Sequence, residues 1–198
     1  MLQNFFKVAF RNLIRQKGFS AINIAGLTLG LTAVLLIALF VHDERQYDKF
    51  LPEGNQVYRI YNEYTNNEGT DNRAVAPPMF ATSLKQNFPE VEQTARVLML
   101  PQTKTLFEAG NKKLYEESGY YVDSTFFNVF PLTFSLGAAS NALDEPTSIV
   151  LSDEFAQRLF GSKNPVGNQV LVDKKPFQVK GVFQKNLKFQ LQFNYLLP

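Results

Sequence analysis

From Gly18 to Val41 no residue carries a charge, and Leu, Ile, Val, Phe, Ala and Gly fill the stretch with only a few Ser, Asn and Thr between them. A helix from Ala21 to Val41 would rise roughly 32 Å, about the thickness of a bilayer's hydrocarbon core. The pattern therefore predicts one membrane-spanning helix over residues 18–42. A cleaved signal peptide would show an apolar region of only about 7–15 residues ending at a small-x-small site. This run is longer and ends in Leu39-Phe40-Val41-His42, so an uncleaved anchor is expected. Ahead of it, Phe5, Phe6, Ala9, Phe10, Leu13 and Ile14 recur at helical spacing, while Lys7, Arg11 and Arg15 recur every four residues on another face. Residues 1–17 thus read as an amphipathic helix suited to the inner surface of a membrane.

Beyond His42 the periodicity changes to short mixed elements. Val57–Tyr61 reads as a strand, followed by a turn at Asn66-Asn67-Glu68-Gly69. After Pro77-Pro78, residues Phe80, Ala81, Leu84 and Phe88 share a helical face that Pro89 stops. Val91–Leu100, Lys104–Phe107 and Lys112–Val122 read as strands. Asp123 is placed to cap a short helix bearing Phe126, Phe127 and Phe130, closed by Pro131. Thr147–Leu151 is a strand running into Ser152, an N-cap with Asp153 and Glu154 in the first turn. The helix that follows holds Phe155, Leu159 and Phe160 and stops at Gly161. Gln169–Val172 and Phe177–Phe183 form a hairpin around Asp173-Lys174-Lys175-Pro176. These strand–helix–strand units imply an α+β domain over residues 43–198, behind the spanning helix and the short amphipathic one.

Charge sharpens this division. The chain has 198 residues and a formal net charge of +2, which gives no reason to expect a nucleic-acid partner. Four of its 20 bases, Lys7, Arg11, Arg15 and Lys17, precede the apolar run, and no acid does. His42-Asp43-Glu44 follow it. That asymmetry predicts a cytoplasmic N-terminus and an extracytoplasmic bulk. With no Cys and one His, thiol chemistry, disulfides and multi-histidine metal sites are excluded within one chain.

Few residues point to chemistry. No GxxxxGK[ST], GxSxG, HExxH or calcium-loop pattern occurs, and Gly161-Ser162-Lys163-Asn164-Pro165-Val166-Gly167 has the wrong order for a phosphate loop. Glu116-Glu117 and Asp144-Glu145 read as solvated pairs, and Lys112-Lys113 and Lys174-Lys175 as turn charges. No catalytic residue, cofactor or metal site is expected. The candidates are of another kind. Asn23, Gly26, Gly30 and Ala33 form a small and polar face where a second helix could pack. Lys7, Arg11, Arg15 and Lys17 are candidates for contact with the membrane surface or a cytoplasmic partner.

Several stretches resemble bacterial ABC-transporter permeases of the MacB/FtsX-like type. Ala9-Phe10-Arg11-Asn12-Leu13-Ile14-Arg15-Gln16-Lys17-Gly18-Phe19-Ser20, running on through Ile22-Asn23-Ile24-Ala25-Gly26-Leu27-Thr28-Leu29-Gly30-Leu31, is similar to that family's start and first membrane helix. Asp43-Glu44-Arg45-Gln46-Tyr47-Asp48-Lys49-Phe50, Val57-Tyr58-Arg59-Ile60, Phe88-Pro89-Glu90-Val91-Glu92 and Phe126-Phe127-Asn128-Val129-Phe130 follow in the family's order. So do Glu145-Pro146-Thr147-Ser148-Ile149-Val150-Leu151-Ser152 and Asn164-Pro165-Val166-Gly167.

The resemblance implies that residues 43–198 are the extracytoplasmic core domain of a permease half in the bacterial inner membrane. It also implies partnership with a separate ABC ATPase subunit and a second permease half, as a homodimer or otherwise, with ATP-driven motion passed to the outer domain for export or mechanical signalling. Two departures accompany it. No second apolar run follows before Tyr195-Leu196-Leu197-Pro198, so a shortened chain or a one-pass remnant is expected rather than a transporter in itself. The Phe183–Phe189 loop is also shorter than the family's. The alternative of another class is a single-pass, membrane-anchored extracytoplasmic sensor or ligand-binding module.

Overall fold

The computed structural model describes residues 2–67, 69–99 and 104–198, which fall into two compact units divided between Tyr47 and Asp48. The first is helical. Helix α1 (Leu2–Arg15) and helix α2 (Lys17–Glu44) are separated by Gln16 alone. The 28 residues of α2 contain no proline, and none is buried. Both of its threonine hydroxyls are satisfied within the helix: Thr28 donates to the Ile24 carbonyl and Thr32 to the Thr28 carbonyl, each at 2.7 Å. An apolar helix that closes its own hydrogen bonds and buries nothing suits a lipid surrounding.

The second unit is α+β, as the sequence implies. It opens with β1 (Asn62–Asn66) and β2 (Gly69–Arg73), an antiparallel pair, and then α3 (Met79–Asn87). Next come β3 (Val97–Met99), β4 (Thr105–Ala109), β5 (Lys112–Glu116), β6 (Gly119–Val122) and α4 (Phe126–Val129). The chain continues through β7 (Phe134–Gly137), β8 (Ser148–Ser152), α5 (Asp153–Phe160), β9 (Gln169–Val172), β10 (Lys175–Phe183) and β11 (Tyr195–Leu197). Among the described residues, nine strands form one mixed sheet in the order β3-β6-β11-β8-β10-β9-β4-β5, with β7 added to β10.

The sheet centre is apolar on both faces. In β8, Val150 faces one layer, with Phe126, Phe127, Phe183, Phe193 and Leu196, whereas Ile149 and Leu151 face the other, with Phe155, Leu159 and Val170. In β11, Leu196 joins the first layer and Tyr195 and Leu197 the second. Helix α5 covers the second layer. Its start follows the expected design, since the Ser152 hydroxyl accepts the Phe155 N–H at 3.2 Å. It stops at Gly161, whose φ of 68° a side chain would strain.

β10 departs from simple alternation. Val179 and Val182 both belong to the α5 layer although they are three residues apart, which strict alternation would place on opposite faces. A bulge resolves the conflict. Along β8, Val179 pairs with Ile149 and Gly181 with Val150, so Lys180 is the extra residue. Its Nζ reaches Glu145 at 3.0 Å. Beside it β7 approaches so closely that a Cβ on Gly181 would lie 2.5 Å from the Phe134 ring, and one on Gly137 2.4 Å from the Lys180 carbonyl oxygen.

Four local expectations are corrected. Val57–Tyr61 stands outside any strand, and the first ladder begins at Asn62; Tyr58 is 79% exposed, so aromatic and β-branched content here finds no strand partner among the described residues. Of Val91–Leu100 only Val97–Met99 pairs, because only that stretch meets β6; Leu100 lies outside the described residues, as does Glu68 of the expected turn. Lys112–Val122 is two strands, since the Glu116 carboxylate accepts the N–H groups of Glu117 and Ser118 at 3.1 Å and turns the chain. Asp123 is no cap: Thr125 precedes α4, and the Asp123 carboxylate is held by the Arg96 guanidinium at 2.8 Å.

Deleting Lys180 should prevent the second unit from folding, because the bulge that keeps Val179 and Val182 on one face is lost. Lys180→Ala, which removes only a partly exposed ion pair, should cost about 1 kcal/mol or less. Urea unfolding of the detergent-solubilised chain, read by far-UV circular dichroism, separates the two. Equal behaviour of the variants refutes the role of the bulge.

Candidate functional site

Within α1, Phe6, Phe10 and Ile14 form one row at intervals of four, and Lys7, Arg11 and Arg15 form the next, about 100° further round the helix. Together they line an open groove along the helix. Phe6, Phe10 and Ile14 are half to two-thirds exposed, so the apolar row is a presented surface. The structure thus brings together three of the four expected cations. Lys17 is separate, at the first position of α2, and is also exposed. The side chains of Phe5 and Ala9, expected on the apolar face, lie outside those described.

Asn23, Gly26, Gly30 and Ala33 fall on one side of α2, and all four are exposed. A Cβ on Gly26 or Gly30 would meet nothing within 4 Å, so no packing among the described residues requires glycine there. At the far end, Gln46 Nε2 sits 2.8 Å from His42 Nε2, giving the lone imidazole a partner one turn on.

The folded second unit holds no group of metal-ligating side chains among the described residues. A space beside Leu132, Phe183 and Phe193 amounts to about 10 Å³, room for one water at most. Its most conspicuous polar feature is one the sequence reading missed. Glu116, expected to be solvated with Glu117, is buried, with a side chain only 9% exposed, and its Oε2 accepts from the Arg158 guanidinium of α5. Glu117 alone is on the surface, 3.8 Å from Lys104. The Lys112-Lys113 pair lies on β5 rather than in a turn: Lys113 meets Glu108 at 2.5 Å, and Lys112 donates to the Arg158 carbonyl at 3.1 Å. Arg158 also covers the Phe155 ring, at 5.0 Å. Nothing in the local sequence marks Glu116, because its partner is 42 residues away.

Burial pushes the Glu116 carboxyl up, but hydrogen bonds from Asn194, the Ser118 N–H and Arg158, with the Arg158 charge, hold it below its ordinary value. Asn194 in turn accepts from Lys185 Nζ at 3.0 Å and from the Ser152 hydroxyl at 3.4 Å. Nearby, Tyr195 donates from its phenol to Thr105 at 3.1 Å and lies over Gly119, where a Cβ would be 2.0 Å from the ring. These contacts clamp the ends of β5, β6, β8 and β11 together. They form a structural clasp.

Comparison with known proteins gives a consistent result. The family described as MacB-like periplasmic core domain matches residues 20–198. The macrolide export ATP-binding/permease protein MacB of Aggregatibacter actinomycetemcomitans is 22% identical over 186 residues, which is 91% of this chain and 28% of that protein. The chain therefore spans just over a quarter of that relative's length. Among solved structures, a domain of a protein named as a permease from Porphyromonas gingivalis superimposes with a TM-score of 0.58 at 16% identity, over 70% of this chain and 60% of that one. The periplasmic region of MacB from Actinobacillus actinomycetemcomitans gives a TM-score of 0.42 at 22% identity, over 60% and 52% of the two chains.

Because the folded Glu116 carboxyl sits below its ordinary value of 4.5, its stabilising contribution is complete above that pH and is lost as the pH falls through the folded value. Glu116→Gln should cost about 1–3 kcal/mol at pH 7, with the difference from the parent chain shrinking below pH 4.5. Urea midpoints of both chains between pH 3 and pH 7 test this; a difference that grows in acid contradicts it.

Proposed function

Because the chain belongs to the family of MacB-like periplasmic core domains, we propose that it serves as the leading part of an ABC transporter permease half, anchored in the bacterial inner membrane by α2. In this reading α2 crosses the bilayer once, residues 1–17 stay in the cytoplasm and residues 43–198 lie outside. The observation that carries it is the continuity of the family match, which begins inside α2 at residue 20 and runs to residue 198, so anchor and outer domain belong to one pattern. The length of α2, about 42 Å at 1.5 Å per residue, exceeds the hydrocarbon thickness and lets both ends reach the headgroups. Four cations before the span against His42, Asp43 and Glu44 after it support the orientation.

The outer domain would receive motion from an ABC ATPase subunit on the cytoplasmic side and pass it on for export or mechanical signalling. Lys7, Arg11, Arg15 and Lys17 are the residues through which the N-terminal helices would meet the membrane surface or that subunit. Gly26 and Gly30, with Asn23 and Ala33, would admit a second membrane helix, from the same permease half or its partner. Rigid clasping of the sheet by Glu116 and Arg158 suits a domain that moves as a body rather than one that opens around a ligand.

Because the chain has no cysteine, topology can be read with single introduced thiols. In intact cells a membrane-impermeant maleimide should label Lys174→Cys and should reach Asn4→Cys only after permeabilisation. Labelling of residue 4 in intact cells reverses the orientation, and loss of the chain from membranes in carbonate removes the anchor. Affinity purification should retain a protein carrying a GxxxxGK[ST] motif, and deletion of residues 1–17 should reduce that retention severalfold.

A further inference from the structure

The joint between the two N-terminal helices says what α1 binds. Gln16 alone leaves helical angles, with φ −111° and ψ 56°. The i→i−4 bonds persist on both sides of it, from the Gln16 N–H to the Asn12 carbonyl at 3.1 Å and from the Ser20 N–H to the Gln16 carbonyl at 2.9 Å. A break confined to one residue keeps α1 attached at the point where the apolar helix begins. Wherever α2 enters a bilayer, the joined end of α1 therefore starts at the level of the lipid headgroups, and its apolar row at 6, 10 and 14 favours lying along that surface.

At that level the charges on α1 need neutralising. Lys7, Arg11 and Arg15 stand in one row beside the presented Phe6, Phe10 and Ile14, and no carboxylate occurs in the chain before Asp43. Water and zwitterionic headgroups would solvate the three cations without any gain from their alignment. A layer of net negative phosphates gains from each of them, while the neighbouring apolar row enters the acyl boundary.

We infer that α1 is a recruitment site for anionic phospholipid, in which Lys7, Arg11 and Arg15 engage headgroup phosphates and draw such lipids to the protein's boundary. The inference rests on the proposal that α2 resides in a bilayer. It goes further, in giving the cation row a specific lipid chemistry as its occupant.

The test uses the full chain in phosphatidylcholine vesicles doped with spin-labelled phosphatidylglycerol or phosphatidylcholine. Electron paramagnetic resonance measures the motionally restricted lipid at the protein boundary. Phosphatidylglycerol should be favoured severalfold, by up to about fivefold. The preference should fall in 0.5 M salt, vanish in the triple variant Lys7→Gln, Arg11→Gln, Arg15→Gln, and survive in Lys7→Arg, Arg11→Lys, Arg15→Lys. Circular dichroism confirms that the helices persist in each, and the salt dependence of the parent chain tests the claim without any variant. Equal association of the two lipids, or a preference that the triple glutamine variant retains, overturns the inference while leaving the span in place. Absence of any restricted lipid with either probe overturns the span itself.

Discussion

Strands β8 and β11 have no solvent face. Every residue of β8 from Ser148 to Ser152 and of β11 from Tyr195 to Leu197 is buried, so both must be apolar on each side and must find cover above and below. This requirement organises the outer unit. Helix α5 supplies one cover through Phe155, Ala156 and Leu159, while α4 and the Phe189 and Phe193 loops supply the other. Aromatic rings suit that second cover because they fill space between irregular segments at edge-to-face geometry, as Phe126 does against Phe127 at 5.4 Å and Phe193 at 5.9 Å. The bulge at Lys180 is a consequence of the same demand, for a long strand beside β8 must stay in phase with it to keep both layers filled.

The polar contacts at the sheet ends follow from the packing rather than compete with it. Once α5 lies on the sheet, Arg158 comes within reach of Glu116 and also stacks on Phe155, so one side chain neutralises a buried carboxylate and shields a core ring. A buried carboxylate without that partner would carry an uncompensated desolvation cost. Arg158 itself stays about half exposed and keeps part of its hydration. The result is a sheet whose ends are tied together by charge and whose interior is tied by apolar contact.

The N-terminal unit obeys different physics. Helix α2 holds no buried residue, and its Thr28 and Thr32 hydroxyls turn back to its own carbonyls. In water such a surface would be a liability; against lipid it costs nothing. The chain therefore joins a helix long and apolar enough to cross a bilayer to a unit held by its own core. The likeness to the Porphyromonas gingivalis domain bears on the fold of the outer unit.

The sequence by itself determined whatever is written locally. The length of the uncharged run fixed a long apolar helix, the four leading cations fixed the charge asymmetry, and Ser152 and Gly161 fixed the ends of α5, because each rests on a few consecutive residues. The α+β class was legible for the same reason, and the ordered matches to one family were legible as a set. Only the tertiary structure decided that Val57–Tyr61 would go unpaired, that Lys112–Val122 would be two strands in different parts of the sheet, and that Glu116 would be buried. Pairing depends on which segment arrives alongside. The Glu116–Arg158 contact joins residues 42 apart and the Tyr195–Thr105 contact residues 90 apart, so no window of neighbouring positions contains the information. The candidate helix face was readable at Gly26 and Gly30. Only the structure showed that, among the described residues, a Cβ on either glycine would meet nothing within 4 Å.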